Sequence, residues 1–171
     1  MSNSQMIQQA NLFSIETGKS AVLSECRAYR YALWRKLREG GNYVNFIGLN
    51  PSTADEFRDD HTIRRCVGFA RRWGFDAICM TNLFAFRATD PMVMKTVIEP
   101  VGIDNDKWLL EIAESASLVV AAWGTHGRYL DRDARVKELL RHRLFCLGKT
   151  NNGFPLHPAR LPNDLKPVPF T

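Results

Sequence analysis

From Tyr43 onward, short apolar runs alternate with segments of helical period, and this alternation limits the fold more than any other feature. Tyr43–Leu49, Ala77–Leu83, Ser117–Trp123 and Leu144–Gly148 read as strands. Between them, 62–73, 104–115 and 131–142 carry apolar residues at helical spacing: Ile63, Val67, Ala70 and Trp73, then Leu109, Ile112 and Ala113, then Val136, Leu139 and Leu140. A strand, a helix and another strand in succession form a parallel sheet through right-handed crossovers. Strands apolar along their whole length are covered on both faces. The expected fold class is therefore α/β: three layers, α/β/α, around a mostly parallel central sheet of about four or five strands.

Upstream, the pattern is weaker. Residues 1–20 are polar and without period, and read as an N-terminal arm preceding a single domain over 21–171. Residues 21–37 fit either a strand or a helix. If Tyr29–Trp34 is a strand, Glu39-Gly40-Gly41-Asn42 turns it into a hairpin with the strand that follows. After Gly148 the chain reads as Pro-rich loop.

Length and composition narrow the class. A chain of 171 residues, 45% hydrophobic and 24% charged, builds its own core without a disulfide or metal staple. Cys26, Cys66, Cys79 and Cys146 lack the close pairing of a zinc or iron–sulfur site. No apolar run reaches the roughly 20 residues of a membrane span, and no apolar signal core is seen at the N-terminus. A cytoplasmic protein is expected, with no membrane association and no obligate protein partner. The net charge of +5 fits a nucleic-acid partner.

Four polar motifs fall at the expected carboxyl ends of the strands, where ligands bind in open parallel sheets. Gly48-Leu49-Asn50-Pro51-Ser52 ends the first strand; the proline holds Asn50 extended, and its carboxamide can orient a water. Asn82 ends the second, offering donors and an acceptor to the edge of a base, with Phe84 or Phe86 to stack on it and one of the two in the core. Trp123-Gly124-Thr125-His126-Gly127 ends the third and offers backbone N–H groups to a phosphate. His157, between Pro155 and Pro158, is fixed in direction, as an electrostatic catalyst must be.

Other residues hold second roles. Asp60 or Thr62 suits the N-cap of the helix that follows. Asp55 and Asp59 are second-choice catalytic carboxylates. Arg64, Arg65, Arg71 and Arg72 share a helix at seven-residue spacing and can track phosphates; Arg87, Arg160 and Thr125 join Arg64 and Arg65 as DNA-contact candidates.

In order, spacing and strand context these motifs resemble the uracil-DNA glycosylase superfamily over roughly residues 43–160. Gly48-Leu49-Asn50-Pro51 resembles its first motif in the Asn-bearing form of the mismatch-specific and thymine-DNA glycosylases. Asn82 resembles the base-reading Asn, and His157-Pro158 the second catalytic motif. Leu-Asn-Pro-Ser-Thr-Ala-Asp with a later His-Pro is also similar to a family of small bacterial and phage proteins designated domain of unknown function 1643. The resemblance implies a uracil-DNA glycosylase-like fold and a monofunctional, cofactor-free hydrolase. Such an enzyme flips a base from DNA and cuts its N-glycosidic bond, leaving an abasic site. Asn50 places the water, His157 stabilises the departing base and Asn82 reads it. Two departures matter. Ala159-Arg160 stands where the superfamily carries Ser-Pro, so Arg160 is placed to enter the groove. Ser52 stands where uracil-only enzymes carry a bulky aromatic, which leaves room for a C5-substituted pyrimidine, including the hypermodified bases of phage. A role in DNA repair or anti-phage defence follows. Two alternatives stand beside it: a metal-dependent phosphoesterase or nucleotide-processing enzyme using Asp55, Asp59, Asp60, His61 and His126, and a module that binds modified nucleic acid without cutting it.

Overall fold

The computed structural model describes residues 18–171. It is an α/β fold on a seven-stranded sheet with strand order β1-β2-β4-β3-β5-β6-β7. The strands are β1 (Lys19–Leu23), β2 (Arg30–Lys36), β3 (Tyr43–Gly48), β4 (Ala77–Asn82), β5 (Leu118–Ala121), β6 (Leu144–Cys146) and β7 (Val168–Pro169). The helices are α1 (His61–Trp73), α2 (Pro91–Met94), α3 (Asn105–Ser115) and α4 (Arg132–Leu140). No helix among the described residues is long and apolar enough to cross a membrane.

The sheet is mixed. Its four central strands, β4-β3-β5-β6, are parallel, as the alternation requires. The flanks are antiparallel: β1 on β2, β2 on β4, and β7 on β6. A mostly parallel sheet of four or five strands is thus corrected to seven strands, half of whose pairings are antiparallel. The Pro-rich end closes back as β7, because Pro169 sits on an edge strand, where a missing N–H costs no ladder bond. The arm expected over 1–20 lies outside the described residues up to 17, while Lys19 and Ser20 belong to β1.

The hairpin expected at Glu39–Asn42 does not form. β2 leaves that turn and pairs with β4, so β4 lies between β2 and β3. The turn is held from the side instead: Asp76 accepts from Arg38 Nε at 2.6 Å and from the Asn42 backbone at 3.1 Å.

Helices cover both faces. On α1, Ile63, Cys66, Phe69 and Ala70 pack on Val44, Phe46, Ile78, Met80 and Val120. On α3 and α4, Leu109, Ala113, Val136 and Leu140 pack on Ile47, Val119 and Ala121. Neighbours in sequence, such as Phe46 and Ile47, therefore enter opposite layers, as the period of two demands. The chain moves one way from β3 to β4 and the other way from β4 to β5, so the crossovers diverge beside β3. Such a switch point opens a crevice at the carboxyl ends of the strands.

β2 contains a break that matters below. Val22 pairs with Ala32, but Leu23 pairs with Arg30, so Tyr31 is the extra residue of a β-bulge. Beyond it the alternation of side chains is inverted. Tyr31 packs toward Gly102, on the approach to α3. Arg30 turns toward Ala54 and the start of α1.

Candidate functional site

A cleft of about 450 Å³ opens at the switch point, within the size range of small-molecule sites. Asn50 from the end of β3, Asn82 from the end of β4, Trp123-Gly124 after β5 and His157 after β6 all line it. Ser52, Thr125 and the first residues of α1 complete the wall.

Asn82 lies at the buried end of β4, and its Nδ2 has no hydrogen-bond partner. Its backbone is fixed from behind: Asn105 Nδ2 donates to the carbonyls of Asn82 and Leu83, both at 3.0 Å. Its carboxamide lies over Gly48, where a Cβ would fall 2.8 Å from Oδ1. The glycine of the first motif therefore makes space for the asparagine of the second. A buried amide N–H without an acceptor destabilises a fold by about 1–3 kcal/mol.

Asn50 is half-buried, and both its amide protons are engaged. Nδ2 donates to Pro51 O at 3.1 Å and to Ala88 O at 2.8 Å. That fixes the carboxamide plane and leaves Oδ1 as the acceptor for a water.

His157 sits on the rim. Its Nδ1 accepts from the Ala159 backbone N–H at 3.2 Å, which puts the proton of the neutral ring on Nε2. Desolvation lowers its pKa below the usual histidine value; the nearby Asp60 carboxylate opposes that shift and His61 adds to it. In its neutral form the ring presents one N–H donor, on Nε2. Gly124, at φ 69°, approaches closely enough that a Cβ there would lie 4.0 Å from the His157 Cβ.

The loop carrying His157 is fastened to α1. His61 Nε2 bonds Ala159 O at 3.1 Å. Arg65 donates to the carbonyls of Pro158 and Leu161 and to Asn163 Oδ1, and stacks on Phe69. Trp73 Nε1 donates to Leu165 O at 3.0 Å. Asp60 caps α1, accepting from the Ile63 N–H at 2.9 Å, so the capping role read from the sequence falls to Asp60 rather than Thr62.

Several expected site residues lie elsewhere. Phe84 is fully buried in the core and touches Tyr129. Phe86 packs edge-on against Tyr29, outside the cleft. Neither is placed to stack on a base there. Asp55 is bonded into its own turn, accepting from the N–H groups of Phe57 and Arg58 at 2.9 Å, and these bonds lower its pKa. Asp59 is clamped by Arg35 at 2.6 Å. Neither carboxylate lines the cleft. Arg65 is consumed by the loop it holds, which removes it as a phosphate contact. Arg64 is exposed but bonded to Asp59 O; Arg87 is half-buried and bonded to Arg27 O; Arg160 and Thr125 are exposed. His126 is paired with Lys95 at 3.1 Å. Among the described residues, no group of three or more His, Cys, Asp or Glu is arranged to hold a metal ion.

A charged cleft residue escaped the sequence reading. Arg30 is 2% exposed at the start of β2, and it lines the cleft. An arginine inside the run Tyr29–Trp34 is a signal in itself, because long charged side chains are rarely buried without a partner. The bulge that re-aims it leaves no mark in the sequence.

The fold is α/β, with a cleft at its switch point lined in part by polar side chains. A family model described as a protein of unknown function (DUF1643) matches residues 30–159, and the chain belongs to that family. The match begins at Arg30 and ends two residues beyond His157. Comparison with curated proteins and with solved structures gave no match.

Proposed function

We propose that this protein is a monofunctional DNA glycosylase with a uracil-DNA glycosylase-like fold, acting on a flipped, C5-substituted pyrimidine. One observation carries the reading. Asn50, Asn82 and His157, distant in sequence, line a single cleft.

Each side chain is in a state suited to its step. The target nucleotide leaves the stack, because its glycosidic bond is out of reach within it. Asn82, which lines the cleft, meets the base edge with its carboxamide. As the bond between C1′ and the ring nitrogen breaks, its electron pair moves onto the base and the sugar becomes oxocarbenium-like. His157 donates Nε2–H to the developing charge, its tautomer set by the Ala159 N–H. Asn50 Oδ1 holds the water whose oxygen bonds to C1′; that water's proton passes to solvent. Ser52 at the wall leaves room beside C5. Repair of DNA or defence against phage are the roles such a reaction would serve.

The metal-dependent alternative is weaker on ligand geometry, since Asp55 and Asp59 are bonded away from the cleft. No observation favours a purely binding module.

Two substitutions test the proposal on duplexes bearing 5-substituted pyrimidines. His157→Ala lowers the rate of base release about 10²- to 10³-fold, by analogy with loss of one oxyanion donor, and spares DNA affinity. Asn50→Ala also spares affinity while slowing release. Full base release by His157→Ala would remove the imidazole from the mechanism.

A further inference from the structure

Three arginines are buried among the described residues: Arg30, Arg35 and Arg132. Two have carboxylate partners. Arg35 pairs with Asp59 and donates to the carbonyls of Trp34, Asp55 and Arg58. Arg132 pairs with Asp106 and donates to Leu83 O at 2.7 Å.

Arg30 differs. Its Nη1 donates to Ala54 O at 2.7 Å, its Nε is sealed from solvent without an acceptor, and no carboxylate among the described residues reaches ion-pair distance of it. Nη2 is the nitrogen left to serve the cleft that Arg30 lines. The group stays charged: burial lowers its pKa to about 10, with Asp60 opposing the shift and Arg87 and Arg35 adding to it. A buried cation without a carboxylate partner destabilises a fold.

The surroundings favour negative charge. The N-terminus of α1, a helix of 13 residues, forms the neighbouring wall through His61, Thr62 and Ile63. The carboxamide-bearing Asn82 lines the same cleft. The cleft's carboxylate, Asp60, is turned to its capping bond. The Tyr31 bulge is what directs Arg30 here, and bulges commonly re-aim side chains beside active sites.

We propose that Arg30 is a further catalytic residue, whose guanidinium binds the negative charge on a keto-pyrimidine as it leaves. This rests on the glycosylase reading above. When the bond between C1′ and the ring nitrogen breaks, its electron pair spreads over the ring and its carbonyl oxygens. Arg30 keeps its proton and stabilises that anion by a charge-assisted hydrogen bond. The base takes a proton from solvent after release.

The test separates this proposal from the reading beneath it. Wild type, Arg30→Gln and Arg30→Lys are titrated calorimetrically with neutral uracil, with 5-nitrouracil as its anion at pH 8, and with inorganic phosphate. Wild type binds the anion about tenfold or more tightly than uracil, a typical gain for a charge-assisted bond. Arg30→Gln keeps uracil affinity and loses the preference; Arg30→Lys keeps part of it. The melting temperature of Arg30→Gln matches or exceeds wild type, and Arg30→Lys serves should the Gln variant fail to fold. If uracil binds but the anion gains nothing from Arg30, this proposal falls and the glycosylase reading stands. If neither base binds wild type, both fall. If phosphate alone binds, and only with Arg30 present, the cation serves a phosphate and the proposal is overturned. On a confirmed DNA substrate, the rate defect of Arg30→Gln shrinks as the leaving base becomes more acidic; a defect independent of base acidity contradicts the assignment.

Discussion

At the scale of single residues, the site depends on which atoms are left unpaired. Gly48 is the clearest case. Its Cα hydrogen faces the Asn82 carboxamide, and a methyl there would fall 2.8 Å from Oδ1. Gly48→Ala must therefore push Asn82 off its position. The expected outcome is at least tenfold lower kcat/KM for base release, with the melting temperature little changed; an unaltered kcat/KM would show that Asn82 does not read the substrate. His157 gives a pH test. Its folded pKa lies below the unfolded value, so between the two the unfolded chain binds more protons. Stability then falls as pH drops through that window and is flat above it. Activity follows the same direction, because a proton on Nδ1 turns the acceptor for the Ala159 N–H into a donor. The pH–rate profile should show an acid limb with its midpoint below the ordinary histidine value near 6.5. A midpoint at or above that value contradicts a desolvated neutral imidazole. Asn50, Asn82 and His157 were legible because each follows an apolar run that must be a strand. Hydrogen-bond commitments were not legible: nothing in the order of residues shows that Asp55 closes its own turn or that Phe84 points inward.

At the scale of elements, the His157 loop is closed by its own turn bonds and fastened from outside by α1. Arg65 does most of the fastening, with bonds to Pro158, Leu161 and Asn163. Arg65→Gln should destabilise the fold by about 1.5–3 kcal/mol, the range for hydrogen bonds from a charged group, and lower kcat more than it raises KM. Chemical denaturation with steady-state kinetics checks both. Weakened DNA affinity with unchanged kcat would return Arg65 to a phosphate-contact role. The arginines of α1 are alike in sequence, and only the return of the chain after β6 separates Arg65 from Arg64. The same limit hid the β2 pairing. A strand followed by Gly40-Gly41 suggests a hairpin, yet β2 lies beyond β4 because strand order is set by contacts between distant segments.

At the scale of the whole molecule, alternating strand and helix patterns were enough to place four parallel strands and three long helices, and with them the edge that carries the site. The antiparallel flanks were not, since β1 and β7 are short edge strands without a repeated pattern. What the architecture achieves is convergence: four loops from four parallel strands meet at the switch point. The decisive measurement is base release from a panel of DNAs carrying plain, 5-substituted and glucosylated pyrimidines. Mass spectrometry reports the freed base, and alkali-labile cleavage reports the abasic site. A free pyrimidine, with an abasic site left at its position, is expected from at least one 5-substituted member, in the presence of chelator and not with His157→Ala. Tight binding of a member without any released base, or strand cleavage that chelator abolishes, would contradict a glycosylase.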